Sequence, residues 1–222
     1  MKQEEGIIGK IVGGMIRRTV RARLRNLYWS PPKHPIPGPA IFYINHHGWL
    51  DGYLMFHAVT KLGMRSLDWI EEFDTFPLFA KVGGMRFSRG DVIGRANTVR
   101  TTIKMMRSEK RSLVIFPEGV MHRPGELLPF GKALETVATK VPEATMVPIA
   151  IVYELSMHER PEAWISFGEP HQFESLIGCE EKLAGQLVAL REAISSGEKF
   201  EILANGTPSI NERMSMKGLK KA

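Results

Sequence analysis

Ala40-Ile41-Phe42-Tyr43-Ile44, running directly into Asn45-His46-His47-Gly48-Trp49-Leu50-Asp51, is the stretch that decides the fold. An unbroken apolar run of five, with β-branched and aromatic members, reads as a strand buried on both faces. The polar residues and Gly48 end it, and apolar periodicity resumes as a helix over 49–62. Strand, polar loop, helix is the opening of a βα unit, and α/β sheets build their sites beyond the carboxyl ends of strands.

The same alternation extends outward. Residues 65–70 read as a weaker strand, 75–82 as helix and 85–88 as a short strand. Val92, Ile93, Ala96, Val99, Ile103 and Met106 form a helical stripe. Ser112-Leu113-Val114-Ile115-Phe116 is a clear strand ended by Pro117. A helix over 130–140, strands over 146–153 and 163–167, and a final helix striped by Leu176, Leu183, Leu187, Leu190 and Ile194 follow. The expectation is an α/β domain over 37–205, with a largely parallel sheet flanked by helices. A polar tail over 206–222 is expected to be loosely held.

Upstream lies a different composition. Residues 1–33 hold eight basic and two acidic side chains, whereas the remaining 189 carry 22 of each sign. A neutral body with a basic leader argues against general nucleic-acid binding. Residues 1–28 read as an amphipathic helix: Ile7, Ile8, Ile11, Val12, Met15 and Ile16 make one apolar group, while Val20, Leu24, Leu27 and Tyr28 face another way. Gly13-Gly14 offers a bend or a close contact between them, and Pro31, Pro32, Pro35 and Pro37 form an extended linker. Residues 1–36 are therefore expected to be a basic membrane-docking arm plus linker, meeting an anionic surface through residues 1–28. No run of 18 apolar residues suggests a membrane span, and no secretory signal is evident. Cys179 is the single cysteine, which rules out an intramolecular disulfide and a cysteine-built zinc site. The expected place is the cytoplasmic face of a membrane, held peripherally.

Two readings compete for His46 and Asp51. With His46 in the loop and Asp51 in the first helical turn, the carboxylate can fold back on the imidazole and make a general base. Alternatively His46 caps a helix and Asp51 complements its dipole. His47 and Asp51, four apart with His57 nearby, admit a metal site, but spacing places no third ligand and no H-E-x-x-H occurs, so none is expected. Phe116-Pro117-Glu118-Gly119 puts a carboxylate at a strand end beside flexible backbone. Gly83-Gly84-Met85-Arg86-Phe87-Ser88-Arg89-Gly90 couples glycines to two arginines suited to phosphate. No G-x-S-x-G elbow is present, and Gly125 to Lys132 departs from a phosphate loop.

Asn45-His46-x-x-x-x-Asp51, the Gly/Arg block ending at Arg89, Phe116-Pro117-Glu118-Gly119 and Val147-Pro148-Ile149 resemble, in order, the four blocks of the glycerolipid acyltransferases, the PlsC-like or lysophosphatidic acid acyltransferases. The resemblance covers residues 37–170. It implies that His46 deprotonates an acceptor hydroxyl, which attacks the thioester of acyl-CoA or acyl-carrier protein, with Asp51 orienting His46. It implies that Arg89 holds the acceptor's phosphate, that Glu118 and Gly119 line the acceptor pocket, and that Val147-Pro148-Ile149 shape the acyl side; Arg86 is a second guanidinium suited to the same phosphate. It implies no metal or organic cofactor, and phospholipid synthesis as the role. Where the family usually continues Thr-Arg-Ser, this chain has Val120-Met121-His122, so Arg123 is left to replace the missing arginine. His47 and Gly48 also stand where small polar residues are usual. Three alternatives stay open: acylation of a phosphate-free membrane alcohol or glycolipid, a thioesterase on the same dyad, and a non-catalytic membrane-binding module.

Overall fold

A computed structural model describes residues 6–155 and 158–214. In chain order the elements are α1 (Gly6–Arg23), β1 (Asn26–Ser30), β2 (Ala40–Ile44), α2 (Asp51–Lys61), β3 (Ser66–Ile70), β4 (Gly84–Arg86), α3 (Val92–Glu109), β5 (Ser112–Ile115), α4 (Lys132–Lys140), β6 (Thr145–Glu154), β7 (Glu162–Phe167), α5 (Leu176–Ser195), β8 (Glu201–Asn205) and α6 (Ile210–Arg213). Eight strands form one sheet in the order β4-β3-β5-β2-β6-β7-β1-β8. The five from β4 to β6 run parallel, β7 is antiparallel to β6, β1 parallel to β7, and β8 antiparallel to β1.

The fold class is as the sequence implies. Every residue of β2 is buried, because both faces of the sheet are covered. On one face, Phe42, Ile44, Val114 and Val147 pack with Leu54, Met55 and Ala58 of α2. On the other, Ile41, Tyr43 and Leu113 pack with Leu134, Val137 and Ala138 of α4 and with Cys179 and Leu183 of α5. Burying a side chain of this size contributes about 1.5–3 kcal/mol, so the central strands are the stable frame.

Five expectations are corrected. The helix of the first 28 residues ends at Arg23, and Asn26–Ser30 is a strand between β7 and β8, so the arm is joined to the sheet. Within α1 the buried stripe is Val12, Ile16 and Val20, spaced by four, while Ile7, Ile8, Ile11 and Met15 face outward. Gly13 is buried and α1 runs through it without interruption. The first turn of α3 is bare: Val92 and Ile93 are each 77% exposed, since α3 starts beside the edge strand β4 where nothing further covers it. Residues 73–82 form two short 3-10 turns instead of an α-helix. Finally, the tail begins in order: the Gly206 and Thr207 amides donate to the carbonyls of Arg25 and Leu24, and Arg25 pairs with Glu212 at 2.5 Å. Residues 215–222 lie outside the described part. No described helix is long and apolar enough to cross a membrane.

Candidate active site

The loop after β2 is pinned before any chemistry is added. Asn45 is fully buried, and its side chain accepts from the Ile151 amide (2.8 Å) and donates to the Ile151 carbonyl (2.9 Å), imitating a strand residue against β6. His46 is thereby presented just beyond the sheet. Its ring stacks on Phe116 at 4.4 Å, and its Nδ1 lies 2.9 Å from Asp51 Oδ2.

Asp51 is buried at the first turn of α2 and satisfied on both oxygens. Oδ2 also accepts from the Gly48 amide at 2.9 Å, and Oδ1 accepts from the Tyr153 hydroxyl at 2.6 Å. The two readings of Asp51 therefore coexist: it sits where the helix dipole favours an anion, and it also holds the imidazole. With Nδ1–H given to Asp51, the Nε2 lone pair of His46 is the basic atom. Burial, reinforced by the neighbouring Asp51 charge and hydrogen bond, pushes the Tyr153 phenol well above its ordinary value, so it stays a donor. A Cβ on Gly48 would fall 2.5 Å from the Tyr153 ring, so the missing side chain makes room for this contact.

Glu118 locks the second loop to the first. Oε1 accepts from the His46 amide (2.9 Å), and Oε2 meets His122 Nε2 (2.5 Å) and the Leu128 amide (2.8 Å). The His122 amide returns a bond to the His46 carbonyl at 3.1 Å. Gly119 adopts φ 71, a left-handed turn that disfavours other residues. Its carbonyl accepts from Arg89 at 3.2 Å, and Arg89 also pairs with Glu71 at 2.8 Å.

These groups border a cavity of about 880 Å³. His46, Arg89, Glu118 and Gly119 line it at the sheet end, and Val12, Ile16, Phe56, Phe79 and Val82 give it apolar walls. Arg86 and Arg123 are not brought to it: Arg86 pairs with Asp74 at 3.0 Å, and Arg123 is exposed. Val147 and Ile149 are core residues of β6 and do not border the cavity. Sequence reasoning missed Arg95, which lines the cavity while stacked over Phe87 at 4.4 Å, as well as Asp68 and Tyr153. Tyr153 lies over a hundred residues from Asp51, and no local pattern joins them.

The imagined set of His47, Asp51 and His57 does not assemble. Asp51 is taken by His46, and His57 is buried near Arg17 and Arg21, with burial lowering its pKa to about 4. His47, Glu118 and His122 instead bring ligand-type atoms within 4.8 Å of one another. Asn45 Nδ2 points at His47 Nδ1 (3.1 Å), which puts the proton of the neutral ring on Nε2. With Glu118 Oε2 already holding His122 and Leu128, this group reads as a polar brace joining the two loops.

Against known proteins, a family model described as Acyltransferase matches residues 25–152. A 1-acyl-sn-glycerol-3-phosphate acyltransferase of Cocos nucifera is 26% identical over 118 residues, 49% of this chain and 36% of that protein. The match thus spans about a third of that relative's length. The crystal structure of the 1-acyl-sn-glycerophosphate (LPA) acyltransferase PlsC from Thermotoga maritima aligns with a TM-score of 0.56 at 17% identity, over 86% of this chain and 80% of that one. At that identity the likeness is one of fold.

Proposed function

This chain belongs to the acyltransferase family, and from that premise we propose that it moves a fatty acyl group from acyl-CoA or acyl-carrier protein to the hydroxyl of a lysophospholipid, lysophosphatidic acid foremost. The observation that carries the reading is the His46–Asp51 pair at the edge of a largely apolar cavity that also presents Arg89 and Glu118. His46 Nε2 takes the acceptor's hydroxyl proton as its oxygen attacks the thioester carbon. The tetrahedral intermediate collapses, the C–S bond breaks, and the proton passes from His46 to the departing thiolate. Asp51 stabilises the imidazolium between these steps. This chemistry calls for no metal or organic cofactor.

Arg89 supports a phosphate-bearing acceptor, with Arg95 as a second cation in reach of the cavity. A second reading, an acceptor without phosphate, draws on Met121, which lines the cavity where the resemblance leads one to expect an arginine. We place the protein peripherally on the cytoplasmic face of an anionic membrane, docked by the outward stripe of α1.

Purified protein given labelled acyl-CoA and a panel of lysophospholipids, glycolipids and membrane alcohols tests the reading. Acylated lipid is expected, with turnover lowered about 100- to 10,000-fold in His46→Ala. Free fatty acid alone would mark a thioesterase, and no product would mark a binding module. If phosphate is the handle, Arg89→Ala raises the acceptor KM by about 10- to 150-fold and leaves the donor KM nearly unchanged. An unchanged acceptor KM turns the reading to the uncharged acceptor.

A further inference from the structure

One wall group of the cavity does not match its setting. β2, β5 and β3 are in register, so Phe42, Val114 and Asp68 form one row across the sheet. Phe42 and Val114 are buried core residues on the face covered by α2. The third place in that row holds a carboxyl, and it opens into the cavity. Its other register partner is Gly84, which packs against Phe79. Val12, Ile16, Phe56 and Val82 line the same space.

Among the described residues, no hydrogen bond or ion pair reaches the Asp68 carboxyl, and burial alone pushes it up to about 7. Asp68 is half-buried, its carboxyl reached only from the cavity, and an apolar ligand that displaced water there would leave it without a partner, at a cost a hydrophobic residue would not carry. A ligand occupying the apolar part of the cavity would lie against it. A plain hydrocarbon chain would desolvate the carboxyl further, whereas a hydroxyl can donate to the carboxylate or accept from the acid, so it satisfies either protonation state.

We propose that Asp68 selects an acyl chain bearing a hydroxyl far from its carbonyl carbon, making a hydroxylated fatty acyl thioester the preferred donor. This rests on the reading that the cavity holds the acyl chain. Asp68 is level with Phe42, four residues before His46. That is about 13 Å along the strands and about 10 Å across two strand spacings. The reacting carbonyl and the carboxyl are thus roughly 16 Å apart, which puts the hydroxyl in the distal half of the chain.

The test is displacement of a fluorescent fatty acid from the full chain by octadecanoic acid or by 12-hydroxyoctadecanoic acid, a readout independent of turnover. The hydroxy acid is expected to bind about tenfold more tightly. Asp68→Asn, of the same shape and still an acceptor, keeps most of that preference. Asp68→Leu loses it and binds the plain acid at least as well, with circular dichroism to check that it folds. No preference in the unaltered protein, a preference that survives Asp68→Leu, or failure of both acids to displace the probe overturns the inference. Were the preference found in a protein that transfers no acyl group from either CoA thioester, the proposed function would fall and the Asp68 subsite would stand. Ordinary transfer without the preference would leave the function and remove the subsite.

Discussion

Asp51 shows how far a single residue's role depends on neighbours distant in sequence. Its Oδ2 faces His46 and the Gly48 amide, both within five residues, while Oδ1 depends on Tyr153 at the far end of β6. Tyr153 is therefore a positioning residue, and Gly48 provides its space. Tyr153→Phe should lower kcat by about 5- to 20-fold with little change in either KM, since it removes one hydrogen bond to a charged group. It should also move the acidic limb of the kcat/KM profile to higher pH. A carboxylate relieved of one donor interacts more strongly with the imidazolium. A phenylalanine enzyme with an unmoved pH profile would reduce Tyr153 to packing. Gly48→Ala should have a similar effect on kcat by pushing the Tyr153 ring away, and adding it to Tyr153→Phe should cost much less than the product of the two.

At the level of elements, α1 has two apolar faces, one buried and one exposed. Val12, Ile16 and Val20 are buried, and Val12 and Ile16 pack with Phe56 and Val82. Ile7, Ile8, Ile11 and Met15 are exposed beside Lys10 and Arg18, the pattern of a helix lying in a membrane interface. Replacing Ile7, Ile8 and Ile11 by glutamine should weaken sedimentation with anionic vesicles by at least about tenfold while leaving the melting temperature within a few degrees. Unchanged sedimentation would remove the docking role. Helices and strands of the central βα repeat were legible because burial on both sheet faces writes itself as unbroken apolar runs. β1 was not legible: Val20, Leu24, Leu27 and Tyr28 carry helical spacing, and only pairing with β7 on one side and β8 on the other makes Asn26–Ser30 a strand. β8 lies at the sheet edge with little burial, so it has no apolar signature. The dyad and the Glu118 loop could be read because each follows a strand directly. Tyr153 and Asp68 could not, because one acts on a helix residue far away in sequence and the other takes its place from register between strands.

For the whole molecule, buried His57 and half-buried Asp68 pull stability in opposite directions with pH. His57 is held near 4, below its ordinary 6.5, so its contribution is present above pH 6.5 and is lost as pH falls toward 4. Asp68 is held near 7, above its ordinary 3.8, so its contribution is present at low pH and is lost as pH rises through 7. Between these limits the slopes, each up to about 1.4 kcal/mol per pH unit, largely cancel. Asp68→Asn removes one of them, and its melting temperature should therefore rise with pH from 4 to 7 more steeply than that of the unaltered protein. Parallel melting curves would contradict the assignment. The same integration governs how the N-terminal segment can be tested. Residues 1–28 supply Val12, Ile16, Val20, Leu24 and Leu27, all buried, and most of the strand between β7 and β8. Each of these side chains contributes about 1.5–3 kcal/mol by burial, so together they match the roughly 5–15 kcal/mol that holds a domain folded. Deleting residues 1–28 should abolish the cooperative melting transition and expose apolar surface to a hydrophobic dye, where the three glutamines on α1 leave both unaltered. A truncated protein that melts cooperatively near the temperature of the full chain would mean that the segment is a separable arm, as its basic composition first suggests.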